Sequence, residues 1–145
     1  MLVGKRMKFF RKRKGMTQQE LGGLLGFSEK TSDVRIAQYE SGARVPKSGL
    51  VEKMAHIFDV SPRAMTVPEI DSYAGLMHTL FALEDMYGLK AGKIDGEICL
   101  CLKPAYPDVF PGLYSIFCAW QEQSARLERG EITREEYDQW RYHFQ

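Results

Sequence analysis

Residues that start and stop helices divide the first 65 residues of the chain into short segments. Thr17 and Glu20 have the spacing of a capping box, and Gly26 stands where a helix starting there would end after roughly two to three turns. Gly15 and Gly42 end the segments on either side in the same way. Helix start and stop signals that are spaced this closely predict several short helices packed against one another.

Apolar residues recur at helical spacing inside each segment. Ser32 or Asp33 is predicted to cap the third helix, and Ile36 and Tyr39 form its inward face. The five predicted helices begin near Leu2, Thr17, Ser32, Leu50 and Pro62 and end near Lys14, Leu25, Ser41, Phe58 and Met65. Lysines and arginines fill the outer side of the first helix and are predicted to form a solvated basic face: Lys5, Arg6, Lys8 and Arg11 to Lys14.

The charge of the chain is divided unequally along its length. Residues 1–66 carry 13 Lys and Arg against 6 Asp and Glu, a net charge of 13 − 6 = +7, whereas residues 67–145 carry 7 against 13, or −6. The sign changes at Val67-Pro68, where Tyr, Phe and acidic residues also become frequent. We therefore predict two domains, residues 1–66 and residues 67–145.

The second domain is predicted to be a small α+β unit, so the chain as a whole is mainly α. A long helix from Glu69 to Tyr87 is followed by a β-hairpin around Asp95-Gly96. A proline-rich loop, Pro104 to Pro111, leads to a helix that ends at Gly130, and Thr133 with Glu136 caps a last helix. The aromatic residues of this domain are predicted to form its core and a dimer interface: Tyr73, Phe81, Tyr87, Phe110, Tyr114, Phe117, Trp120, Tyr137, Trp140 and Phe144.

The cysteines and acidic pairs give no clear catalytic or metal-binding pattern. Cys99 and Cys101 alternate on the predicted second strand and therefore share a face, which permits a metal or redox site with Cys118 or a histidine. No Cys-x-x-Cys pair is present, and a structural role is favoured. An enzyme with Cys99 or Cys101 as nucleophile would need a histidine base and an oxyanion site, which the sequence does not provide. We predict no enzymatic activity, cofactor or metal.

The sequence lacks the features of a membrane or secreted protein. No window approaches the roughly 18 apolar residues of a membrane span, and the basic N-terminus has no apolar stretch behind its charges. Three cysteines are an odd number and fit free thiols in a reducing compartment. We therefore expect a cytoplasmic location.

Four motifs in the first domain carry a resemblance to a known family. They are MTQQEL at Met16 to Leu21, LGFS at Leu25 to Ser28, IAQYESG at Ile36 to Gly42, and Val45-Pro46. Over residues 4 to 63 the chain resembles the phage-repressor-type (Xre-like, Cro-like) helix-turn-helix family. The resemblance implies a five-helix domain that binds double-stranded DNA and regulates promoters, usually as a dimer on a two-fold-related operator.

The chain departs from the family pattern at two places. Gly22 stands where the family usually has Ala, and it keeps a small residue where the second and third helices touch. The segment from Ser28 to Ile36 is longer than in the shortest members, and its extra residues are polar. The turn before the third helix is therefore enlarged.

The third helix carries the predicted base-reading residues. Because Ile36 and Tyr39 point inward, a step of about 100° per residue places Val34, Ala37, Gln38 and Ser41 near the outer face, with Asp33 and Arg35 at its edges. The resemblance carries the family's base-contacting positions onto Asp33, Val34 and Gln38. Gln pairs with adenine and Arg with guanine, and Val or Ala packs on a thymine methyl. The base-reading set is therefore Asp33, Val34, Arg35, Ala37 and Gln38.

Three further residues are predicted to hold the DNA backbone. Gln18 matches the family's phosphate-clamping position at the start of the second helix, and Arg44 and Lys47 follow the third helix. These contacts position the domain and carry no base sequence.

The predicted function is sequence-specific transcriptional regulation, as a repressor that binds DNA as a homodimer. One helix-turn-helix makes too few base contacts for useful selectivity, which favours two-fold dimerisation. The alternative is an antitoxin-type protein-interaction module whose DNA binding is autoregulatory. Co-purification of a protein partner would distinguish the alternative.

Overall fold

A computed structural model describes residues 2–68, 70, 72–103 and 111–145. Those residues form eight helices and one two-stranded antiparallel sheet, so the predicted mainly α fold with a hairpin is confirmed. The chain divides into a first unit, Met1–Glu69 with Asp138–Gln145, and a second unit, Ile70–Tyr137. Of the predicted proline-rich loop, residues 104–110 lie outside the described residues.

The first unit contains the five predicted short helices. They are α1 (Leu2–Arg13), α2 (Gln18–Leu24), α3 (Ser32–Ser41), α4 (Ser48–Phe58) and α5 (Pro62–Met65). The capping box before α2 is formed: the Glu20 amide donates to Thr17 Oγ1 at 3.1 Å, and the Thr17 amide donates to Glu20 Oε2 at 2.6 Å. Gly15 and Gly42 lie just beyond α1 and α3 with φ of 68° and 82°, which explains why the helices end there.

The start of α3 differs from the prediction. Thr31 occupies the N-cap position without a side-chain cap, so neither Ser32 nor Asp33 caps the helix. Ser32 is fully buried and its hydroxyl donates to the Glu29 carbonyl oxygen, while Asp33 Oδ1 accepts from the amide of Val34. Ser32 packs against α2 instead of capping, and α3 therefore begins within the enlarged turn.

The hydrophobic core of the first unit is built by one or more residues from every helix. α1 contributes Met7 and Phe10, and α3 contributes Ile36. The other buried members are Leu21, Leu25, Val51, Met54, Ala55, Phe58 and Met65. This core fixes α2 and α3 against each other and against the supporting α1 and α4.

The last eight residues pack with the first unit, although the sequence assigned them to a domain of residues 67–145. The ring of Tyr142 lies edge-on to that of Phe10 with centroids 5.0 Å apart, and the Ser61 amide donates to the Tyr142 carbonyl oxygen at 2.7 Å. Arg13 Nη1 donates to Asp138 Oδ2 at 2.6 Å. The C-terminal segment therefore docks on the core of the first unit, and Tyr142 makes the contact.

The second unit contains α6 (Tyr73–Tyr87), β1 (Lys90–Ile94), β2 (Glu97–Cys101), α7 (Pro111–Glu128) and the first turn of α8 (Arg134–His143). α6 begins later than predicted because the Ser72 side chain accepts from the Gly75 amide and caps it there. The hairpin is confirmed, with Asp95 and Gly96 both at positive φ as a two-residue turn requires.

Few side chains of the second unit are buried. Among its described hydrophobic residues, Leu89 and Tyr137 are the buried ones, and α6 has none. Trp120 donates its indole N–H to the Tyr137 hydroxyl at 2.9 Å yet remains half exposed, and Tyr73 is 90% exposed. Tyr73, Phe81 and Trp120 therefore lie outside a core within one chain, and the dimer interface that was predicted for the aromatic set stays a prediction. None of the described helices is both long and apolar enough to span a membrane.

Candidate nucleic-acid interface

One face of α3 is open to solvent. Asp33 and Val34 are exposed, and Ala37 and Gln38 are partly exposed, whereas Ile36 on the opposite face is completely buried. This is the arrangement that the helical step of about 100° dictates once Ile36 enters the core. Val34, Ala37 and Gln38 thus share the outer face of α3, and Asp33 lies at its edge.

Arg35 is held at the edge of this face by an aromatic ring. Its guanidinium carbon lies 4.8 Å from the centroid of the Phe27 ring, within the range of a cation–π interaction. The Phe27 ring in turn stacks on Tyr39, with centroids 6.4 Å apart. The charge of Arg35 is therefore placed beside the exposed face while its side chain remains partly buried.

The loop after α3 returns toward the helix. The amide of Arg44 donates to the Gln38 carbonyl oxygen at 3.1 Å, and the Ser41 hydroxyl donates to the same carbonyl. Arg44 and Lys47 are both exposed, and Lys47 occupies the N-cap position of α4. Two cations thus follow the C-terminal end of α3.

A buried ion pair joins α1 to α3 and reaches Gln18. Arg11 donates from Nε to Glu40 Oε1 at 2.5 Å and from Nη2 to Glu40 Oε2 at 3.1 Å, so the ion pair is bidentate. Its Nη1 donates to the Met16 carbonyl oxygen, and Gln18 Nε2 donates to Glu40 Oε2 at 3.0 Å. The hydrogen bond with Glu40 raises the pKa of Arg11 despite burial. Gln18 is thereby tethered at the start of α2, beside α3.

The prediction of a solvated basic face on α1 is wrong for two residues. Arg11 is buried against Glu40, and Arg6 places its guanidinium 4.7 Å from the centroid of the Phe10 ring. Burial lowers the pKa of Arg6. The signal was present in the sequence, because Arg11 follows Met7 by one helical turn and Glu40 follows Ile36 by the same spacing. Lys5, Lys8, Lys12 and Lys14 are exposed as predicted.

The described residues contain no group of three or more His, Cys, Asp and Glu side chains that could hold a metal ion. The three cysteines are free thiols.

The chain is similar to known proteins in two comparisons. Residues 7–64 match the family model described as helix-turn-helix. Among solved structures, the chain is similar to the crystal structure of transcriptional regulator BswR, with 25% sequence identity and a TM-score of 0.45. That similarity covers 61% of this chain and 97% of the other. No curated protein matches the chain.

Proposed function

We propose that the chain, whose residues 7–64 match the helix-turn-helix family model, is a DNA-binding transcriptional regulator that represses transcription as a homodimer on a two-fold-related operator. The observation that carries the proposal is the exposed face of α3, flanked by the exposed cations Arg44 and Lys47. An α-helix with its side chains is about as wide as the major groove of B-DNA. The face opposite the buried Ile36 is the one that α3 presents to the groove.

The proposed contacts divide into base-reading and backbone-holding groups. Asp33, Val34, Arg35, Ala37 and Gln38 read base edges from the face of α3. Gln18, Arg44 and Lys47 contact phosphates and set the angle at which the helix enters the groove. The hydrogen bonds that Glu40 accepts from Arg11 and Gln18 support the phosphate-binding role of Gln18, because they order the Gln18 side chain before DNA binds.

Selection of bound sequences from a random DNA pool tests the proposal directly. We expect enrichment of two half-sites related by a two-fold axis, with centres about 10 base pairs or a multiple apart. Enrichment of a single half-site would contradict the homodimer, and no enrichment would contradict sequence-specific binding. A protein partner that co-purified and displaced the homodimer would favour the antitoxin-type alternative.

Two substitutions distinguish base reading from backbone contact. Gln38→Ala should cost about 1 to 3 kcal/mol on the selected site and relax the preference at one base position, because a side chain that discriminates between bases is lost. Lys47→Ala should weaken binding to all sequences about equally and reduce the dependence on salt. Fluorescence anisotropy on the selected site and on single-base variants measures both effects.

Lys93→Ala is the charge-matched control for Lys47→Ala. Lys93 is exposed on the hairpin of the second unit, and its removal should leave operator affinity unchanged. If Gln38→Ala instead weakened every sequence equally, the placement of α3 in the groove would be wrong.

A further inference from the structure

The two cysteines of β2 form a close pair of thiols. Residues two apart on a strand share a face, and the Sγ atoms of Cys99 and Cys101 lie 3.5 Å apart. Both residues are partly exposed. The predicted shared face is confirmed, and the thiols remain open to solvent rather than filling a core.

A glycine on the neighbouring strand makes room for this arrangement. Gly92 of β1 pairs with Cys99 across the hairpin. A Cβ added to Gly92 would lie 2.6 Å from Cys101 Sγ and 3.6 Å from Cys99 Sγ. The space that a side chain would occupy is thus filled by the sulfur of Cys101.

The sulfur separation selects the kind of ligand that both thiols can hold at once. With a sulfur–ligand bond of about 2.3 Å, two sulfurs 3.5 Å apart subtend an angle of roughly 100° at a shared centre. A linear two-coordinate metal such as Cu(I) needs a much wider separation. A tetrahedral zinc site needs four ligands, and no third ligand joins the pair in the part of the chain that the structure describes.

We propose that Cys99 and Cys101 form a chelating site for trivalent arsenicals, whose arsenic is thiophilic and pyramidal with bond angles close to this value. Binding is a condensation without redox change. With a dihydroxy arsenical, two S–H bonds and two As–O bonds break, two As–S bonds form, and two water molecules leave while arsenic stays trivalent. The anhydrous oxide form releases one water molecule in the same exchange. The hydrogen bond with Cys101 raises the pKa of the Cys99 thiol, so Cys99 enters the reaction as a protonated thiol.

A disulfide between the same residues is disfavoured by the strand. Two residues apart along an extended strand, the Cα atoms are about 6.6 to 6.8 Å apart, at the upper limit for a disulfide. Oxidation would therefore require β2 to distort, whereas an arsenic atom bridges the sulfurs at their present separation.

The test uses the reduced full-length chain and phenylarsine oxide as the probe. Intact-mass spectrometry should show one phenylarsenic group per chain with the loss of two thiol hydrogens. The adduct should resist excess 2-mercaptoethanol and be removed by 2,3-dimercaptopropanol, because only a dithiol competes with chelation. Cys99→Ser and Cys101→Ser should each weaken retention by about 100-fold or more, since the second attachment is then no longer intramolecular.

Two further variants make the test specific to the geometry. Cys118→Ser removes the remaining thiol and should leave binding unchanged. Gly92→Ala keeps both thiols but displaces Cys101 Sγ, and it should weaken binding several-fold, with circular dichroism verifying that the chain is folded. An adduct that required Cys118, or equal binding by Cys99→Ser and the unmodified chain, would overturn the proposal. So would rapid oxidation to a Cys99–Cys101 disulfide with no arsenical retained.

Discussion

At the scale of single residues, Glu40 joins three helices of the first unit through one carboxylate. It accepts two hydrogen bonds from Arg11 and one from Gln18, so one carboxylate connects α1, the start of α2 and α3. Both members of the ion pair are almost excluded from solvent, with side chains 10% and 4% exposed. A charge left alone in such a place is costly, whereas an apolar pair of similar volume is often tolerated.

Removing only the carboxylate should therefore destabilise the first unit more than removing the pair. We expect Glu40→Ala to lower the free energy of unfolding by about 3 to 5 kcal/mol, because Arg11 stays buried without its partner. The double variant Arg11→Met with Glu40→Leu should recover much of that loss. Urea unfolding followed by circular dichroism measures both. An equal loss in the two variants would mean that packing, not the unpaired charge, dominates.

Asp59 and His143 make the stability of the first unit depend on pH. Asp59 ends α4 in the left-handed conformation, and its carboxylate accepts from Gln139 and contacts His143 Nε2 at 3.0 Å. The hydrogen bond with Asp59 raises the pKa of His143 above its ordinary 6.5, and those with Gln139 and His143 lower the pKa of Asp59 below its ordinary 3.8. The contribution of His143 is complete below pH 6.5 and is lost as pH rises through its raised pKa. That of Asp59 is complete above pH 3.8 and is lost as pH falls through its lowered pKa.

The stabilising contribution of this pair is therefore greatest in the window between the two ordinary values. The melting temperature of the unmodified chain should exceed that of His143→Gln most at about pH 5.5, and the difference should shrink by about pH 9. Asp59→Asn serves as the control, because Asn tolerates the left-handed conformation and removes only the charge. A difference that stayed constant across this range would show that the pair is held by packing alone.

At the scale of the helices, the sequence predicts elements well where start and stop signals are local. The capping box at Thr17, the glycine after α3 and the two-residue turn of the hairpin all act within a few residues, and each is found where predicted. Whether a charged side chain is buried or exposed depends instead on partners that are far away in the sequence. The helical spacing places Arg11 on the side of Met7, but its burial as a charged group depends on Glu40, which lies 29 positions away. The local sequence predicts that Ser32 caps α3, whereas in the structure Ser32 packs against Gly22.

The contact between α2 and α3 gives a prediction with a built-in control. A Cβ on Gly22 would lie 2.5 Å from Ser32 Cβ, whereas one on the adjacent Gly23 would meet nothing within 4 Å. Gly22→Ala should destabilise the chain by about 1 to 3 kcal/mol and shift α3, because the neighbour is a short side chain close to its backbone. Gly23→Ala should stabilise it by up to about 1 kcal/mol through helix propensity. Thermal unfolding and operator affinity of both variants check the pair, and equal effects would contradict the close approach.

At the scale of the whole molecule, the boundaries of the two units depend on contacts between residues that are far apart in the sequence, and no local sequence pattern predicts those contacts. The change of charge at Val67 lies close to the end of the first segment of the first unit. The return of the last eight residues to that unit was not predicted, because α8 reads as one amphipathic helix without a break. What distinguishes its last turns is the contact of Tyr142 with Phe10, which links positions 132 residues apart.

The open apolar face of α6 gives the prediction that concerns assembly. Tyr73, Met77 and Phe81 recur every four residues and all remain exposed, in a unit with few buried hydrophobic residues. A second copy of the chain would cover this stripe and would also supply the α3 helix that binds the second half-site. Sedimentation at micromolar concentration should therefore give twice the 16.6 kDa of one chain.

Placing charge on this stripe should separate the subunits. The double variant Met77→Glu with Phe81→Glu should sediment as a monomer and lose affinity for the two-fold operator, while binding to a single half-site stays unchanged because α3 is untouched. Ala82→Glu, exposed and about 140° around the helix from Met77, should remain dimeric. A dimer binds both half-sites through two α3 helices that are linked to each other. The loss of affinity for the full operator should therefore exceed any loss of affinity for the half-site by orders of magnitude, as for other bivalent binding. An unmodified chain that is monomeric at concentrations that saturate the operator would contradict the assembly.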